Sequence, residues 1–112
     1  MKKVILLLSI TLILAVLVLS PRVRAALGNN TVTEIKIDNF SFSPSNVTVP
    51  AGTQVRWVNR DDIPHTVANE DGLFKSKALD TDDQFTYTFT KPGTYRYFCS
   101  LHPKMTATVV VQ

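Results

Sequence analysis

Downstream of residue 25 no apolar run is long and none repeats with a helical period. Short segments instead alternate apolar and polar side chains and are separated by Gly, Pro, Asn and Asp. This is the pattern of half-buried strands, whose side chains point to opposite faces in turn. The alternation predicts strands over Thr33–Asn39, Asn46–Val49, Thr53–Asn59, His65–Ala68, Gln84–Thr90, Thr94–Cys99 and Ala107–Val111. Each break carries turn chemistry: Ser43-Pro44-Ser45-Asn46, Pro50-Ala51-Gly52 and Lys91-Pro92-Gly93. About seven to eight such strands in one small domain predict an all-β Greek-key sandwich of two antiparallel sheets. A parallel β/α sheet is disfavoured, because no helices are available to cover it. The stretch Asn69–Asp82 is the least regular and is expected to hold a loop or one irregular strand.

The first 25 residues are of a different kind. Lys2 and Lys3 precede an apolar run from Val4 to Leu19, with Pro21 behind it and Val23 and Ala25 at minus three and minus one of a cleavage point. This predicts a secretory signal peptide over 1–25 and a single domain over 26–112. The alternative, an uncleaved membrane anchor, is weaker because the run falls short of the roughly 20 residues of a spanning helix. The leader also accounts for the basic balance of the whole chain, formally +3. Without Lys2, Lys3, Arg22 and Arg24 the remaining basic residues are outnumbered by the nine acidic ones. Nucleic-acid binding therefore loses its electrostatic support.

Export sharpens a question about Cys99, the only cysteine in the chain. Exported proteins ordinarily pair their cysteines, and this one has no partner. Taken alone it reads as a small buried hydrophobe. Its neighbours argue otherwise: Cys99-Ser100-Leu101-His102-Pro103-Lys104-Met105 places a thiol, an imidazole and a thioether three residues apart. His65 is the remaining histidine and supplies a fourth donor. A soft thiolate, two imidazoles and a weak thioether suit one copper ion cycling between Cu(I) and Cu(II), whereas zinc rarely uses methionine.

Each residue has a plainer reading, His65 as a surface or capping residue and Met105 as core packing. A Cys99–His102 nucleophile pair is a further option, but no orienting third group or oxyanion hole is recognisable. The paired cysteines of c-type haem attachment are missing. With only two histidines, the His-rich centres of multicopper oxidases have no ligands. On the strand before the loop, Tyr95, Tyr97 and Cys99 are expected to point inward together, with Arg96 and Phe98 outward.

These motifs resemble those of the cupredoxins, the plastocyanin-like blue copper proteins. The resemblance runs through Val49-Pro50-Ala51-Gly52, Val55-Arg56-Trp57-Val58-Asn59-Arg60, Ile63-Pro64-His65, Phe89-Thr90-Lys91-Pro92-Gly93-Thr94-Tyr95 and the CxxHxxM loop. The short interval before the methionine is similar to the amicyanin branch, since plastocyanin has a longer gap. The resemblance implies a cupredoxin-type sandwich with His65, Cys99 and His102 in a trigonal plane and Met105 as a long axial contact. Two departures stand out. Thr66 replaces the family's asparagine, which ties the ligand loops together; its N–H is expected to point at the Cys99 sulfur and its hydroxyl at Ser100. Leu101 and Lys104 replace a proline and an aromatic residue of the amicyanin loop, while Pro103 is retained and offers the sulfur no N–H.

The function implied by the resemblance is a monomeric, periplasmic electron carrier without enzymatic activity. Its partners would be a redox donor and acceptor, such as a dehydrogenase and a c-type cytochrome. Electrons would pass through the His102 edge, within an apolar patch that includes Pro64, Leu101, Pro103 and Met105. Lys104 would favour an acidic rim on the partner, acting on association rate more than on affinity. Phe98 matches a second electron entry point of plastocyanin, although an exposed Phe needs no role. The alternative function is a periplasmic protein for copper delivery or sequestration, using the same donors.

Overall fold

The computed structural model describes residues 31–112, so the leader expected over 1–25 lies outside the described residues. Eight strands follow in chain order: β1 (Val32–Asp38), β2 (Ser41–Ser43), β3 (Asn46–Val49), β4 (Thr53–Asn59), β5 (Ala68–Asn69), β6 (Gln84–Phe89), β7 (Gly93–Cys99) and β8 (His102–Val111). They form two four-stranded sheets, β2-β1-β4-β6 and β3-β8-β7-β5. Alternate side chains of the two sheets fill one core. Ile35 and Ile37 of β1, Val55 and Trp57 of β4, Tyr97 and Cys99 of β7 and Val109 and Val111 of β8 are all buried in it. Each large apolar side chain removed from water in this way contributes roughly 1.5–3 kcal/mol. No helix among the described residues is long and apolar enough to cross a membrane.

Both sheets are mixed, which corrects the expectation of purely antiparallel pairing. β1 runs parallel to β4, from Val32 beside Gln54 to Ile37 beside Asn59. β3 likewise runs parallel to β8. The chain achieves this without a helix because it changes sheet between β1 and β4, β3 lying in the opposite layer. Alternation in a sequence reports which face of a strand is buried, and parallel and antiparallel neighbours leave the same imprint.

Three boundaries also differ from the expectation. β2 is a three-residue strand that buries only Phe42, too short to leave a period. The strand expected over His65–Ala68 reduces to β5, while His65 itself sits in an isolated bridge with Leu79. β8 begins at His102 rather than Ala107, so the segment after Cys99 is almost wholly strand. The irregular stretch Asn69–Asp82 contains no strand beyond Asn69, the last residue of β5, and buries Phe74 and Leu79 under its loops.

Trp57 organises the middle of the core, edge-on to Tyr97 at 5.4 Å and stacked on Phe74 at 5.8 Å between ring centroids. At the end of the sandwich away from the site, the Tyr95 hydroxyl donates to the Lys91 carbonyl at 2.7 Å and fixes the turn that starts β7. Tyr95, Tyr97 and Cys99 share one face of β7, as expected from a period of two, and Cys99 ends that row. The thiol thus emerges where the packed core gives way to loops.

Candidate metal centre

Cys99 and His102 close a two-residue turn, Ser100-Leu101, and are directly paired across the β7–β8 hairpin. The tight turn is what brings their side chains together. His65 arrives from the β4–β5 connection, and its backbone exchanges hydrogen bonds with Leu79, N to O at 3.2 Å and O to N at 2.8 Å. The Nδ1 atoms of His65 and His102 lie 3.8 and 3.6 Å from Cys99 Sγ. All three donor atoms fall within 4.8 Å of one another. Metal bonds of roughly 2.0 Å to nitrogen and 2.3 Å to sulfur, opened to about 120°, set nitrogen and sulfur about 3.7 Å apart. The triangle fits one metal ion at its centre. Met105, three residues along β8 from His102, is buried and belongs to the same core cluster as Cys99. Two imidazoles, a thiolate and a thioether are the donor set of a type 1 copper site.

The surroundings prepare the thiolate. Burial pushes the Cys99 thiol up, but the Thr66 N–H, the His102 ring and the Leu101 N–H outweigh it and hold the thiol below its ordinary range. The Thr66 N–H reaches Sγ at 3.3 Å. Its hydroxyl lies 2.7 Å from Ser100 Oγ and accepts the Ser100 backbone N–H at 2.7 Å. The His65 loop and the Cys99 hairpin are therefore tied by one short side chain.

A second anchor was not apparent in the sequence. Asp61 Oδ2 lies 2.7 Å from His65 Nε2, so the ring proton sits on Nε2 and Nδ1 is left as a lone pair facing the thiolate. The same carboxylate accepts the backbone N–H groups of Asn39 at 2.7 Å and Phe40 at 3.0 Å. Burial pushes the Asp61 carboxyl up, but these two N–H donors and the His65 ring hold it down at about 2. Buried Asn59 steadies the loop: its Oδ1 accepts the Asp61 N–H, while its Nδ2 donates to the carbonyls of Ile63 and Leu79. The sequence offered only a faint cue, an acid four residues before the histidine in an otherwise ordinary loop.

A cupredoxin-like domain model matches residues 8–111. The chain belongs to the cupredoxin-like family. Amicyanin from Paracoccus versutus is 34% identical over 83 residues, covering 70% of this chain and 63% of that protein. The chain thus spans just under two thirds of that relative's length. Amicyanin-alpha from Methylorubrum extorquens is 34% identical over 85 residues, covering 71% of each chain. Among solved structures, a purple cupredoxin from Nitrosopumilus maritimus superposes with a TM-score of 0.68 at 35% identity, over 71% of this chain and 99% of that one.

As a cupredoxin, the molecule presents its centre at one end, and the residues expected on the surface there divide into two groups. Pro64, Leu101, Pro103 and Lys104 are exposed, with Leu101 at 50%. Phe98, expected to point outward, is half-buried on β7, where it pairs with Ala68 of β5. His65 and Cys99 are sealed at 0% exposure, while His102 is half-buried. Phe40 was not anticipated: it is 55% exposed, yet its ring stands edge-on to His102 at 5.1 Å and to His65 at 5.6 Å. Together with His102, Pro103, Lys104 and Met105 it lines an apolar concavity of about 460 Å³.

Proposed function

We propose that this cupredoxin is a blue copper electron carrier in which His65, Cys99, His102 and Met105 would hold the copper ion. The observation that carries the reading is the convergence of two imidazole Nδ1 atoms on one buried thiolate, at 3.6 and 3.8 Å. When bound, copper supplies one-electron chemistry between Cu(I) and Cu(II). The chain's own residues hold the donors in one arrangement and keep water from three of them. Thr66 and Ser100 join the two ligand segments, and Asp61 keeps Nδ1 of His65 available. His102 is the donor nearest the surface, so its ring edge is where a docked partner approaches the site most closely.

The leader over 1–25, the mature domain over 26–112 and a periplasmic location form part of the same reading, as do partners such as a dehydrogenase and a c-type cytochrome. The exposed surface around His102 is apolar and carries Lys104, which suits a partner with an acidic rim. Burial of His65, Cys99 and Met105 favours retention of copper over its delivery to another protein.

The test is to add Cu(II) to the purified metal-free protein and record the visible spectrum. A thiolate ligand gives an intense charge-transfer band that disappears in Cys99→Ser; a colourless Cu(II) protein rules the site out. Repeated reduction and reoxidation with copper retained supports a carrier. Rapid loss of Cu(I) to a chelator supports delivery instead.

A further inference from the structure

The β1–β2 hairpin turns through Asn39 and Phe40, flanked by the Asp38–Ser41 pair. Both turn residues have positive φ, 52° and 57°. This is the backbone of a type I′ turn, which favours Asn or Gly, and a phenylalanine there is a genuine outlier. Nothing in the hairpin itself requires it. Backbone strain of this kind persists where the surroundings over-determine it. Here the determinant is the Asp61 carboxylate, which takes both turn N–H groups and the His65 Nε2–H. Its side chain is only 11% exposed, and three donors surround it; among the described residues no Lys or Arg is bonded to it. A single anion therefore fixes the buried imidazole on one side and the aromatic cap over both imidazoles on the other.

We propose that Asp61 is the positioning residue that sets the reduction potential of the centre, by fixing His65 with Nδ1 toward Cys99 and by holding one uncompensated negative charge against that imidazole. An anionic acceptor on the far nitrogen makes a ligating histidine more basic and stabilises the higher charge of the metal. Asp61 thereby favours Cu(II) and lowers the potential. The Phe40 turn is its second load: while the carboxylate holds those N–H groups it cannot swing away from His65. The proposal rests on the copper reading above, and its test separates the two.

The first measurement uses the metal-free protein. Nitrogen-15 NMR of the His65 ring is expected to report the Nε2–H tautomer, and Asp61→Ala is expected to shift it toward a mixture. An Nδ1–H tautomer in the unaltered protein, or no change in Asp61→Ala, overturns the positioning role whether or not copper binds. The second uses copper-loaded protein. Asp61→Asn removes the charge at nearly constant volume and is expected to move the Cu(II)/Cu(I) equilibrium toward Cu(I) at least tenfold, about 59 mV for a one-electron couple. Asp62→Asn, an exposed neighbour in the same loop, controls for a general charge effect and is expected to move it less than threefold. Equal shifts in the two variants, or none in Asp61→Asn, overturn the electrostatic role. A parent protein that never develops the thiolate band defeats the copper reading, and the tautomer then still decides for or against Asp61.

Discussion

Tyr97 carries a buried hydroxyl, and the Trp57 indole N–H faces the same interior; among the described residues neither atom has a hydrogen-bond partner. Burial pushes the Tyr97 hydroxyl well above its ordinary range, against a weaker lowering from the nearby Trp57. A buried polar atom without a partner contributes desolvation cost and no bond. Tyr97→Phe is therefore expected to leave stability unchanged or raise it by up to about 1 kcal/mol near neutral pH, read from urea midpoints. The sign with pH follows from the raised folded value. The unfolded chain releases this proton near pH 10, whereas the folded chain still holds it. The stability linked to it is complete below pH 10 and is lost as pH rises further. Comparing parent and Tyr97→Phe at pH 8 and pH 11 should show the variant losing less; equal losses refute the assignment. Thr66 is the opposite case, a side chain whose bonds are all made. Thr66→Val keeps the volume but strands the Ser100 N–H, which is expected to cost about 1–3 kcal/mol in chemical denaturation. Its partnership with Ser100 and Cys99 was expected from the family likeness, because it stands where the family's loop-tying asparagine does. Asp61 was not, because its role depends on a turn some twenty residues upstream.

At the scale of elements, the β7–β8 hairpin does most to assemble the centre. Its two-residue turn sets Cys99 opposite His102, and a change of one residue in a hairpin moves the following side chains to the other face. Inserting one glycine between Ser100 and Leu101 is thus expected to abolish the thiolate band on Cu(II) addition. Far-UV circular dichroism should retain the sandwich signal; a persistent band would show that the hairpin does not set the geometry. The sequence conveyed β4 and β7 well, since Val55 and Trp57, or Tyr95, Tyr97 and Cys99, repeat every second residue. It conveyed β2 and β5 poorly. Phe42 alone cannot establish a period, and the backbone at His65 is held by Leu79 from an irregular loop rather than by a neighbouring strand. The start of β8 was hidden because Pro103 and Lys104 look like loop residues, although both sit exposed at the beginning of a strand where a missing N–H is tolerated.

At the scale of the molecule, the centre joins segments that are distant in sequence, so a bound ion acts as a crosslink between them. A ligand present at about 100 times its dissociation constant adds about 2.7 kcal/mol to stability. For a domain of this size that is an upward shift of roughly 10 °C or more in the unfolding temperature. Copper-loaded protein is expected to show this increment by calorimetry, removal of copper to cancel it, and Cys99→Ser to lose most of it. An unfolding temperature that copper leaves unchanged would mean that the site does not couple to the fold. The arrangement of the two sheets belongs to this scale too. Ile35 and Trp57 announce buried faces, but the parallel pairing of β1 with β4 arises because the chain changes layer between them.

The sequence by itself determined the alternating strands, the lone thiol and the spacing of His102 and Met105 behind it, because each of these is carried by residues close together in the chain. It also nominated His65, by elimination and by family likeness. Only the tertiary structure decided that the His65 ring turns Nδ1 toward that thiol, with Asp61 fastened behind it and Phe40 across the top. Those relations join β1, the loop after β4 and the β7–β8 hairpin, and a linear pattern carries no record of which loops meet at one end of a sandwich.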